Sequence, residues 1–143
     1  MNETLEARQV EIVEEFESFE DWMDKYEYVV ELGKSLNSMP ESAKLDDHLI
    51  RGCQSRVWLV AAKNDDGTIR FEADSDAIIT KGLVALMVRA LNGLTPKAVA
   101  EADLWFIAKI GLDTHLSPTR ANGLQSMVQQ MRHYGLAFQA KGQ

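Results

Sequence analysis

The side chains with most chemistry to offer are one thiol and its neighbours. Cys53 is the only cysteine in the chain and stands in Arg51-Gly52-Cys53-Gln54-Ser55-Arg56. Gly52 permits a backbone angle that can turn the sulfur outward at a bend. Arg51 and Arg56 are two nearby cations that favour the thiolate wherever they are also close in space. An ordinary thiol is about 3% ionised at neutral pH, and a pKa near ~7 would make it about half ionised. A free cysteine also packs as a small buried hydrophobe, so a docking module with an inert Cys53 is an open alternative. A cysteine hydrolase or transferase is another. It needs a base within hydrogen-bond reach and a third group to orient that base. Only His48 and His115 are candidates, one five residues upstream and one just ahead of a helix cap. One cysteine and three scattered histidines lack the paired spacing of a metal site, so no metal ligand is expected. No glycine-rich phosphate loop and no dinucleotide fingerprint is present. A lone reactive thiol is best suited to accepting and handing on a group. Attack on a sulfur–sulfur bond needs access and some ionisation, but no base triad. Without a second cysteine, a carried sulfur stays until a partner removes it.

The elements that must position this thiol follow from the hydrophobic periods. Leu5, Ile12, Val13 and Phe16 share one helical face with acids opposite, and Ser18 with Asp21 reads as a capping box that restarts the helix. Phe19, Trp22, Met23, Tyr26 and Val30 continue it to about Leu36. Residues 37–47, with Pro40, form a connector. Val57-Trp58-Leu59-Val60-Ala61-Ala62 then reads as a strand, Lys63-Asn64-Asp65-Asp66-Gly67 as a turn, and Ile69, Phe71 and Ala73 as the inward side of a second strand. Leu49-Ile50 is expected to add a third strand. Beyond the hairpin, Asp74-Ser75-Asp76 is expected to cap a helix whose buried stripe is Ile78, Ile79, Leu83, Leu86, Met87 and Leu91, ending at Gly93. Thr95-Pro96 opens a short helix to about Glu101, Leu104 to Ile110 forms another, and Ser117-Pro118 opens the last. The fold class is therefore α+β: a small antiparallel three-stranded sheet with helices packed on one face.

Composition agrees with one compact domain over residues 1–143. A chain of 143 residues can bury about 68–70% of its unfolded surface. Mean hydropathy is -0.22, and no apolar run nears the ~18 residues of a membrane span. The start, Met1-Asn2-Glu3-Thr4, lacks the basic and apolar regions of a secretory signal, and the single cysteine suits a reducing compartment, so a cytoplasmic location is expected. Residues 1–31 hold eleven acids against Arg8 and Lys25, a net of -9 within a total of -7. An acidic chain without a basic stripe is repelled by phosphate backbones, which argues against nucleic acid. The acidic block reads as the solvated side of helices, with steering of a basic partner as the functional alternative.

Three blocks of this chain resemble one family in order and spacing. They are Gly52-Cys53-Gln54-Ser55 with Val57-Trp58-Leu59, then Asp74-Ser75-Asp76 with Lys81-Gly82-Leu83, then His115-Leu116-Ser117-Pro118-Thr119-Arg120 with Gly123-Leu124. The chain resembles the SufE family of sulfur acceptors in iron–sulfur cluster assembly, from about Phe19 to Met131. The resemblance implies a compact α+β fold similar to the U-type, IscU-like cluster scaffolds. It implies a SufS-type cysteine desulfurase as partner, with pyridoxal phosphate on that enzyme and no cofactor here. Cys53 would take the persulfide sulfur, stimulate the desulfurase and deliver to an iron–sulfur scaffold complex, having little activity alone.

Other positions in these blocks divide between chemistry and structure. Gln54 and Ser55 could donate hydrogen bonds to a persulfide anion or simply shape the turn. Arg120 sits in a first helical turn, where a cation opposes the helix dipole, so it is a candidate for contact with a partner or with the Cys53 loop, with an ordinary surface salt bridge as the equal alternative. Asp74 is foremost a cap, with partner contact as the second role. Ser117-Pro118 is a cap and first helical residue, and Trp58 a core anchor beside the loop.

Overall fold

The computed structural model describes residues 3–36, 39–50, 52–53 and 55–141. Helix α1 (Glu3–Glu17) and helix α2 (Trp22–Lys34) come first, then short 3-10 turns at Glu41–Ala43 and Asp46–His48. Strands β1 (Val57–Lys63) and β2 (Ile69–Ser75) follow, and then α3 (Ile78–Leu91), α4 (Pro96–Ala100), α5 (Phe106–Lys109), α6 (Leu112–His115) and α7 (Pro118–Lys141). The fold is α+β. Strands β1 and β2 form an antiparallel hairpin in which Trp58 faces Asp74 and Leu59 faces Ala73. Their turn is held by Asn64 N–H to the Thr68 carbonyl at 2.8 Å and by Gly67 at φ 89°.

The third strand is reduced to one bridge, Leu49 to Trp58, with Ile50 N–H on the Val57 carbonyl at 2.8 Å. Residues 46–48 coil into a 3-10 turn on one side of it, and Gly52 turns at φ 93° on the other. Pairing has no straight chain to extend along. The sheet among the described residues is therefore two-stranded.

Helix boundaries differ from expectation where local signals compete. Ser18 does not cap α2; its hydroxyl donates back to the Glu15 carbonyl at 2.6 Å, and Asp21 is the cap, accepting from Asp24 N–H at 2.9 Å. Asp74-Ser75-Asp76 does not cap α3, because β2 runs on through Ser75 and the cap residue is Ala77, which has no side-chain bond. Ile78, expected in the buried stripe, is 70% exposed in the first turn, before the helix has rolled onto the core. The short α6 is an addition, begun by Gly111 at φ 82°. The cap-and-proline starts of α4 and α7 stand as read: Thr95 accepts from Ala98 N–H at 3.2 Å, and Ser117 from Arg120 N–H at 3.3 Å.

Val57, Leu59, Ile69, Phe71 and Ala73 turn one side of the hairpin into a core shared with α1, α3 and α7. Helix α3 is the centre of this packing. It touches α2 so closely that a Cβ on Gly33 would lie 2.8 Å from the Gly82 nitrogen, so glycine at this crossing lets two backbones meet. The acidic α1 is tied down as well as packed. Arg89 of α3 donates to both carboxylate oxygens of Glu15, which also accepts from the Tyr28 hydroxyl. Arg8 donates to the Ala90 and Asn92 carbonyls at 3.1 and 2.6 Å and so closes the C-terminus of α3.

Candidate functional site

The segment carrying Cys53 is fastened at both ends. Upstream, the Ile50–Val57 bond fixes it to the edge of β1. Downstream, the Arg56 backbone is held three times: its N–H donates to Asp76 Oδ1 at 3.1 Å, and its carbonyl accepts from Ser75 Oγ at 2.8 Å and Asp76 N–H at 3.2 Å. Arg56 thus serves through its main chain, while its side chain is exposed. Ser75 and Asp76 act as a clamp on this segment, a role that a capping pattern hides.

Between these fastenings Gly52 and Cys53 lie against α7. Gly52, in its left-handed conformation, sits so near Ser126 that a Cβ would overlap the Ser126 hydroxyl. Cys53 Sγ lies 3.5 Å from the Gly123 carbonyl, within reach of a weak thiol hydrogen bond. A Cβ on Gly123 would be 3.4 Å from that sulfur. Glycine at 52 therefore lets the thiol seat on the helix, and Gly123 supplies the carbonyl beside it.

Sγ opens on a pocket of about 70 Å³ lined by Cys53, Ser55, Thr80, Thr119, Arg120 and Gly123, among others. Arg120 and Thr119 come from the first turn of α7 and Thr80 from the first turn of α3. The Arg120 side chain is exposed at this mouth and makes no ion pair with any described residue. Cys53 is half-buried, and its burial pushes the thiol above the ordinary range. The thiolate-favouring effect expected from Arg56 does not appear. The Arg56 guanidinium points to solvent, and Arg51 lies outside the described residues, as does Gln54.

The remaining candidates go elsewhere. Asp74 is not in the pocket. It is 3% exposed, on the side of the hairpin opposite the main core, where the segment 39–44 covers it. Met39 N–H donates to it at 3.1 Å and Ser75 N–H at 2.8 Å, and Lys81 and Lys44 ammonium groups stand at 3.2 and 3.5 Å. Burial pushes this carboxyl up, yet the Met39 and Ser75 amides and the Lys81 charge outweigh it and hold it below the usual aspartate range. Lys44 also lies 5.2 Å over the ring of Trp58, which is buried beside the loop. Neither candidate base lines the pocket. His48 Nδ1 is 2.7 Å from the Ala43 carbonyl, and His115 stacks on Trp22 at 4.0 Å. Among the described residues no three His, Cys, Asp or Glu side chains are grouped to hold a metal ion, and no helix is long and apolar enough to cross a membrane. Thr80 and Ser126 complete the site, and no signal in the sequence marks them for it. A lone hydroxyl inside a helical pattern gives no local sign of what it will face.

Comparison with known proteins gives the arrangement its context. Residues 10–135 match the family model described as SufE, Fe-S metabolism associated domain. An uncharacterised SufE-like protein of Rhizobium meliloti is 40% identical over 126 residues, 85% of this chain and 90% of the relative. One of Synechocystis is 39% identical over 138 residues, 96% of this chain and 86% of the relative. The fold is shared with the solution structure of a hypothetical protein from Thermus thermophilus, with a TM-score of 0.75 at 20% identity, covering 93% of this chain and 96% of that one. With its match running from α1 deep into α7 and two relatives about 40% identical over most of the chain, the chain belongs to the SufE family, whose domain is associated with iron–sulfur metabolism.

Proposed function

We propose that this protein is a sulfur acceptor and carrier that takes persulfide sulfur from a pyridoxal-phosphate cysteine desulfurase of the SufS type onto Cys53. The observation that carries the reading is the half-sheltered thiol: it opens on a small pocket beside the unpaired Arg120, with no histidine in the lining. A hydrolase would lack its base there. A carrier needs none.

The step is thiol–disulfide chemistry with a persulfide as the electrophile. The Cys53 thiolate attacks the outer sulfur of the desulfurase Cys–S–SH group. A new S–S bond forms on Cys53, the bond between the donor's two sulfurs breaks, and the donor cysteine leaves with the electron pair and takes up the proton. No net oxidation occurs. Because burial favours the protonated thiol, Cys53 at rest is a poor nucleophile and a poor target for oxidation. It gains reactivity when the segment lifts off α7 toward the partner. The exposed guanidinium of Arg120 is then free to meet the anionic sulfur or a carboxylate on the donor. Downstream delivery to an iron–sulfur scaffold complex, and action in the cytoplasm, belong to the same proposal.

The test is incubation with a desulfurase and free cysteine, followed by intact mass and peptide mapping. Wild type should gain one sulfur atom on Cys53 and raise sulfide release. Cys53→Ser should keep its fold yet abolish both. Full stimulation by Cys53→Ser, or sulfur uptake at no site, overturns the reading.

A further inference from the structure

The pocket beside Cys53 contains a polar group without a partner. Thr80 is 7% exposed, in the first turn of α3, and its hydroxyl makes no hydrogen bond to any other described residue. A threonine on a helix ordinarily satisfies its hydroxyl on the carbonyl one turn back. Here it does not. Among the described residues no fully sealed side-chain oxygen or nitrogen goes unbonded, so the Thr80 hydroxyl keeps some open surface, and Thr80 lines this pocket. Valine would fill the same volume without stranding a hydroxyl, so threonine is the costlier choice for packing alone. The pocket, at about 70 Å³, also exceeds the ~10–15 Å³ that one water requires, which leaves room for one more atom on Sγ.

We propose that Thr80 holds the outer sulfur of a persulfide on Cys53, donating a hydrogen bond from its hydroxyl to the sulfur anion inside this pocket. The inference rests on the reading of Cys53 as a sulfur carrier and adds a ligand-binding residue to it. Thr119 and Ser55 line the more open part of the pocket, so Thr80 is the donor at its buried end. A sulfur seated there is screened from solvent nucleophiles until the segment moves, and one hydrogen bond to a charged acceptor lengthens its stay.

The full chain is loaded with inorganic polysulfide, so that no partner is required. The Cys53 thiolate attacks a terminal sulfur, one S–S bond breaks, and the shortened polysulfide leaves with the charge. Cyanide is then added, and removal of the outer sulfur as thiocyanate is timed. Thr80→Val should lose its sulfur about tenfold faster than wild type, the size of one hydrogen bond to a charged group. Thr80→Ser, which restores the hydroxyl, should stay within about twofold of wild type. Thermal stability of the Val variant should be equal or higher, which separates the effect from simple unfolding. Equal retention by Val and wild type overturns the inference, as does a Ser variant as leaky as Val. Should wild type take sulfur neither from polysulfide nor from a desulfurase with cysteine, the carrier reading falls, and this inference falls with it.

Discussion

Asp74 and Thr80 are six residues apart and both more than nine-tenths buried, and the fold treats them in opposite ways. Around Asp74 every acceptor is used: two main-chain amides and two lysines converge on one carboxylate. Around Cys53 the Thr80 hydroxyl and the Arg120 guanidinium have no partner among the described residues, and the half-buried thiol has only the Gly123 carbonyl. The saturated region is an anchor. It binds the segment before the Cys53 loop, the end of β2 and the start of α3 into one block. The under-bonded region is where an incoming group completes the bonding. Stability should therefore reside at the first site and reactivity at the second, which substitutions can test.

The largest effect is expected at the anchor. Asp74→Ala leaves Lys44, Lys81 and the Met39 amide without their acceptor, and should cost about 3 kcal/mol in urea unfolding. Its pH signature has a definite sign. The folded-state pKa is below the unfolded one, so the Asp74 contribution is present above about pH 4 and is lost as acid takes the solution through the folded value. Asp74→Asn should flatten that acid limb. An unchanged acid limb, or a loss under ~1 kcal/mol for the alanine variant, would remove the distinction between the regions.

An intermediate effect is expected where the loop meets α7. Gly52→Ala places a Cβ at φ 93° and against the Ser126 hydroxyl, and should cost about 1–2 kcal/mol. By lifting the loop it should also speed alkylation of Cys53 in the native protein. Adding Ser126→Ala removes the clash but not the backbone strain, so the double variant should recover the slow alkylation and only part of the stability. Equal alkylation rates in all three proteins would show that the contact does not shelter the thiol.

Gly123→Ala is the smallest perturbation and separates the two quantities most cleanly. Its Cβ would meet Cys53 Sγ at an ordinary 3.4 Å, so nothing need move. Replacing glycine inside α7 should raise stability by up to ~1 kcal/mol. The same methyl group covers the sulfur, so alkylation and sulfur uptake should slow. A variant that is both more stable and more reactive would contradict the seating of the thiol on this helix.

The chain is most legible where its signals are local. The hairpin can be read because period-two alternation in Ile69–Ala73 meets a glycine turn, and α4 and α7 because Thr-Pro and Ser-Pro mark helix starts. Cys53 and Arg120 stand out as reactive types in odd places, and they do line one pocket. Asp74 reads as a cap because its burial comes from residues 39–44, thirty or more positions away, which no periodicity in β2 can report. The third strand is overestimated because Leu49-Ile50 has strand composition, while the 3-10 turn before it sets its length. Thr80 carries no mark in the sequence, because the meaning of a hydroxyl on a helix depends on what another segment brings to it.

The two fastenings of the Cys53 segment set a tether length. Cys53 stands three residues from Ile50 and three from Arg56, and three extended residues span about 10 Å. With both fastenings intact, the Cys53 Cα can project no farther than that from the body of the protein, and the sulfur only its own side-chain length beyond. A donor must therefore present its sulfur in a cleft no deeper than this combined reach, or first unfasten Arg56 from Ser75 and Asp76. The arm is long enough to enter a neighbour's surface and too short to trail free, which restricts exchange to partners already docked.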